Sequence, residues 1–102
     1  MRTSTRWLVA TSLGLMASWA TAQTDALQVR NWAAACANCH GTHGVAEKGM
    51  DSLAGQNRDD LLKKMLDFKT GRKPATLMHQ LAKGYSDEQL QQLAAYFASL
   101  KK

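Results

Sequence analysis

Cys36-Ala37-Asn38-Cys39-His40 places two thiols and an imidazole in one short run. On a helix the positions i, i+3 and i+4 share a face. Both sulfurs and the ring can therefore engage a single group lying along that face. The chain holds 2 cysteines in all, so any further contact to that group must come from its histidines and methionines.

Outward from this run the pattern is helical. Val29, Trp32, Ala33 and Cys36 recur at i, i+3, i+4 and i+7, which predicts a first helix from about Asp25 to Cys39. Leu61, Leu62, Met65, Leu66 and Lys69 form a second stripe, on a helix from Arg58 to Thr70 that stops before Gly71 and Pro74. A third helix is expected from Ser86, where Ser-Asp-Glu-Gln has the form of a capping box, through Leu90, Leu93, Phe97 and Leu100. No alternating strand pattern competes, so the fold class is all-α, with three to four helices. Gly41 to Asn57 and Gly71 to Tyr85 read as long loops. Loops of that length in a small domain usually wrap something or carry function.

The beginning of the chain sets the compartment. Arg2 and Arg6 precede a largely apolar run from Trp7 to Ala20, then Ala20-Thr21-Ala22 and the polar Gln23, Thr24 and Asp25. This is the order of a secretory signal peptide, residues 1–22, cleaved after Ala22. The run falls short of the roughly 20 residues of a membrane-spanning helix, which disfavours an uncleaved anchor. The expectation is an exported, periplasmic protein with one domain, residues 23–102, and no membrane span. A domain this small usually needs a disulfide, metal or cofactor to supplement its core. The formal charge of +5 includes Arg2 and Arg6, and no long basic run occurs, so nucleic acid is not the expected partner.

The cysteine run can now be read by elimination. A structural zinc site takes four ligands, and Cys36, Cys39 and His40 supply three, so zinc would require a distant histidine. A redox Cys-x-x-Cys belongs at a strand-to-helix junction of a sheet that this sequence does not predict. A disulfide between Cys36 and Cys39 is tight and closes too small a loop to stabilise much. Cys-x-x-Cys-His remains as a covalent haem c attachment, with thioether bonds at Cys36 and Cys39 and His40 reaching the iron from one side. For the second axial position the chain offers Met50, Met65, Met78, His43 and His79. Met65 lies on the apolar stripe and reads as core filling. His43 is too near His40 to reach the opposite face of a macrocycle, and Met50 is only slightly better placed. Met78, in the second long loop after Pro74, is the expected ligand because imidazole paired with thioether suits electron transfer. His79 is the alternative.

Cys36 to Gly41, Leu53-Ala54-Gly55-Gln56, Pro74-Ala75-Thr76-Leu77-Met78, Ala82 to Glu88 and Leu93-Ala94-Ala95-Tyr96-Phe97 resemble the small class I c-type cytochromes of bacteria. Within them they are most similar to the cytochrome subunits of flavocytochrome c sulfide dehydrogenases. The resemblance runs from about Val29 to Leu100. It implies a fold in which the first and last helices cross near the haem, with Trp32 and Tyr96 at the crossing, and His40 and Met78 as axial ligands. Where the family often has a proline whose carbonyl orients the proximal histidine, this chain has Asp51. The implied function is one-electron transfer rather than catalysis by this chain alone. Electrons would come from an FAD-containing flavoprotein partner and pass to a further acceptor; a free monohaem shuttle is the alternative. A haem sensor or peroxidase would instead need a vacant or labile iron site. Lys63, Lys64, Lys69, Arg72, Lys73 and Lys83 could steer acidic partners or form an ordinary solvated face. Tyr85, Met50 and Leu53 are candidate exposed apolar residues of the loops.

Overall fold

The computed structural model describes residues 26–102; the expected signal peptide lies outside them. Four α-helices follow in order: α1 Ala26–His40, α2 Arg58–Thr70, α3 Met78–Lys83 and α4 Asp87–Ser99. A single 3-10 turn, Thr42–Gly44, lies between α1 and α2. No strand occurs among the described residues. Helix α4 packs against both α1 and α2, and α3 lies on α2.

The helix ends follow from local chemistry. The Asn57 side-chain oxygen accepts the backbone N–H groups of Asp59 and Asp60 at 2.9 and 3.1 Å, starting α2. Gly71, in the left-handed conformation at φ 80°, ends it. At α4 the Ser86 hydroxyl accepts from Gln89 N–H at 3.1 Å, while the Gln89 side-chain oxygen accepts from Ser86 N–H at 2.9 Å. The predicted capping box is thus complete and satisfies two N–H groups that lack helical partners.

The core lies where the predicted stripes meet: Ala33 of α1, Leu61 of α2, and Leu90, Leu93, Ala94 and Phe97 of α4. Val29, Trp32, Cys36, Leu62, Met65, Leu66 and Leu100 pack around it half-buried. Helix α4 therefore supplies most of the fully buried surface, and α1 only one alanine.

Helix α3 corrects the reading of Gly71 to Tyr85 as a loop. Six residues are too few to display a period, and no side chain caps the helix start. Leu77, just before the helix, and Leu81 within it are exposed, at 63% and 50%. The inward positions are the buried Ala82 and the half-buried Met78 and His79. The first long loop is also more ordered than its composition suggests. Leu53 N–H and Ala54 N–H both donate to the Gly44 carbonyl, at 2.7 and 3.0 Å, and Gly55 N–H donates to the Phe97 carbonyl at 2.9 Å.

Candidate haem-binding site

Helix α1 carries Cys36, Cys39 and His40 in its final turns and ends on His40. Gly41 is the reason. It adopts φ 82°, ψ 159°, a combination that essentially only glycine tolerates, while its N–H still donates to the Ala37 carbonyl at 3.0 Å. A Cβ at this position would lie 1.8 Å from the Val45 carbonyl oxygen, so the chain folds back tightly against residue 41. The return path through the 3-10 turn brings the Asp51 carbonyl to 2.6 Å from His40 Nδ1. Nδ1–H donates to that carbonyl, which fixes the ring and leaves Nε2 as the available lone pair. Any residue retains this carbonyl, and Asp51 performs the orienting role with its own side chain exposed.

Cys36 is half-buried and Cys39 exposed. Burial pushes the Cys36 thiol up, outweighing a local backbone hydrogen bond that acts the other way. Burial pushes the Tyr85 phenol up as well. Its hydroxyl donates to the Trp32 carbonyl at 3.4 Å. Tyr85 is thus half-buried beside Cys36 rather than exposed on a loop, and Leu53 is half-buried too; of that trio only Met50 is exposed.

Met78 is the first residue of α3, half-buried, on a helix packed against α2. His79 engages its Nε2 with the Lys73 carbonyl at 2.6 Å. Met65 packs against the core as expected, Met50 is 47% exposed, and His43 is exposed in the 3-10 turn at φ 56°. Trp32 and Tyr96 both pack half-buried against the core, Tyr96 edge-on to Phe97 at 5.2 Å. A cleft of about 140 Å³ lies along α1 and α4, lined by Ala33, Ala34, Ala37 and Tyr96 among others.

These donors fit a covalently bound haem. Cys36 and Cys39 precede a histidine whose Nδ1 is anchored on the Asp51 carbonyl, which leaves Nε2 as its donor atom. Among the described residues no three His, Cys, Asp or Glu side chains converge into an ion cage. The fully buried core consists of four alanines, three leucines and Phe97, in keeping with a small domain that relies on a prosthetic group.

Comparison with known proteins agrees. Residues 23–97 match the family described as cytochrome c oxidase, cbb3-type, subunit III. The cytochrome subunit of sulfide dehydrogenase from Chlorobaculum tepidum is 37% identical over 67 residues, covering 66% of this chain and 61% of that protein. Cytochrome c4 from Pseudomonas aeruginosa is 41% identical over 78 residues, 76% of this chain and 39% of its own length. A structure of cytochrome c4 from Acidithiobacillus ferrooxidans superposes with a TM-score of 0.63 at 35% identity, covering 72% of this chain and 43% of that one. The chain spans between about two-fifths and three-fifths of the length of these relatives. The match over residues 23–97, the all-helical fold and the Cys36-x-x-Cys39-His40 run together make this chain a member of that c-type cytochrome family, a class I cytochrome with covalently bound haem c.

Proposed function

We propose that the protein is a periplasmic one-electron carrier that accepts electrons from an FAD-containing sulfide dehydrogenase subunit and passes them to a further acceptor. The observation that carries the reading is the anchored imidazole: His40 Nδ1 is held by the Asp51 carbonyl, which leaves Nε2 for the metal beside two thiols available for thioether bonds. Haem c, when bound, supplies an iron(III)/iron(II) couple. Cys36 and Cys39 would retain the cofactor covalently, and His40 and Met78 would hold its iron. With His40 and Met78 on the iron, no site would be left there for substrate or oxygen, which favours a carrier over an enzyme. No helix among the described residues is long and apolar enough to cross a membrane. Export rests on the leader pattern of residues 1–22.

The sulfide dehydrogenase assignment is supported by the Chlorobaculum tepidum relative; a free shuttle is the second reading. The basic residues support a narrower steering role than the sequence suggests. Lys69 binds the Tyr85 carbonyl and Asp87, both at 2.8 Å. Lys63 and Arg72 both pair with Asp67. Lys83 remains exposed in the last turn of α3. The deciding experiment is purification of the native holoprotein, with sulfide then added to the product. Co-elution of a flavin-bearing subunit and reduction of the haem by sulfide are expected. Elution alone at the monomer size, with the haem left oxidised by sulfide even in the presence of cell extract, overturns the subunit reading and leaves the shuttle.

A further inference from the structure

Helix α3 has six residues and no side-chain cap at its start, so it lacks the length to hold itself as a helix. Yet Met78 is its first residue. Something outside the helix must fix that end, and the structure contains a two-step connection to α2. Lys73 N–H donates to the Asp67 carbonyl near the end of α2 at 3.2 Å. His79 Nε2–H then donates to the Lys73 carbonyl at 2.6 Å. The Phe68 ring of α2 closes the arrangement, with the His79 ring edge-on at 6.4 Å and Lys73 Nζ at 5.6 Å from its centroid. At the other end of α3, Ala82 is buried.

We infer that His79 is a positioning residue for Met78: its hydrogen bond to Lys73 and its contact with Phe68 clip the first turn of α3 to the end of α2 and restrain Met78 from leaving the iron. The inference rests on Met78 being the axial ligand. It gives His79, the other candidate for that position, a role of its own. The imidazole closes a loop from residue 73 to residue 79 that no backbone hydrogen bond closes at its Met78 end. Removing one hydrogen bond of this kind shifts an opening equilibrium by about tenfold.

The test uses the ferrous holoprotein and carbon monoxide, which binds iron only when the sixth position is vacated. His79→Ala is expected to take up carbon monoxide about tenfold faster than the parent. Met78→Ala should be faster still. In His79→Gln the amide N–H can again reach the Lys73 carbonyl, and its rate should return to within about threefold of the parent. The far-ultraviolet circular dichroism of all three should match the parent. A parent-like rate in His79→Ala beside a fast Met78→Ala overturns the inference and leaves the ligand assignment standing. A parent-like rate in Met78→Ala overturns the assignment itself, and the inference with it. His79→Gln as fast as His79→Ala removes the hydrogen bond from the explanation and overturns the proposal. So does a loss of helical signal in His79→Ala that keeps step with the gain in rate, because the whole fold has then opened.

Discussion

His40 depends on one backbone oxygen. The acceptor for Nδ1 is the Asp51 carbonyl, so the exposed carboxylate is dispensable for orienting the ring. Asp51→Ala is expected to leave the visible absorption bands of both redox states in place; displaced bands would show that the side chain takes part in ligation. Gly41 has no such latitude. An alanine there meets the Val45 carbonyl at 1.8 Å while held at positive φ. The φ strain alone costs on the order of 1–3 kcal/mol, and the overlap with backbone adds to it. Urea unfolding of Gly41→Ala should show at least that loss, and parent-like stability would mean the turn can rearrange. The Cys36-x-x-Cys39-His40 group is legible in the sequence because its members sit on one helix, where spacing alone fixes the face. Tyr85 beside Cys36 is not legible, because its hydroxyl meets Trp32 53 residues away and no local pattern encodes that approach.

At the scale of elements, α2 matches the predicted bounds Arg58–Thr70 because each end carries its own signal, Asn57 at the start and Gly71 at the finish. Helix α4 is equally readable from Ser86 onward. Ser86→Ala removes the acceptor for Gln89 N–H and should lower stability by about 1 kcal/mol in thermal or urea unfolding; no change would mean that water replaces the cap at no cost. Helix α3 was hidden because it is held by neighbours: its inward face is methionine, histidine and alanine, and its one leucine, Leu81, is exposed. The end of α2 also contains an acid-sensitive element. A hydrogen bond from Lys63, and then the charges of Lys63, Arg72 and Lys73, hold the Asp67 carboxyl below the usual carboxylate range against an opposing effect of burial. A depressed folded-state value stabilises the protein above the ordinary pKa of about 3.9, and that contribution is lost as pH falls through the lower folded value. Asp67→Asn should therefore destabilise the protein at neutral pH and flatten the fall in stability between about pH 4 and lower pH. A parent-like pH profile would remove Asp67 from the linkage.

Across the whole molecule, one helix supplies the attachment run, a second helix supplies most of the buried core, and the loop between α1 and α2 joins them. Gly55 N–H bonded to the Phe97 carbonyl ties that loop to α4, while Asp51 in the same loop holds His40. The orientation of the imidazole is thus coupled to the packing of the last helix. All-helical class and the position of the attachment run can be read from the sequence; this coupling cannot, because it runs through backbone groups that every residue possesses. The account depends above all on thioether bonds at Cys36 and Cys39. The most direct measurement is the visible spectrum of the exported protein before and after unfolding and extraction with acidified organic solvent, combined with thiol alkylation. The account predicts that the colour stays with the polypeptide and that neither cysteine is alkylated. Colour that passes into the solvent, or a colourless protein in which both thiols react, would contradict it.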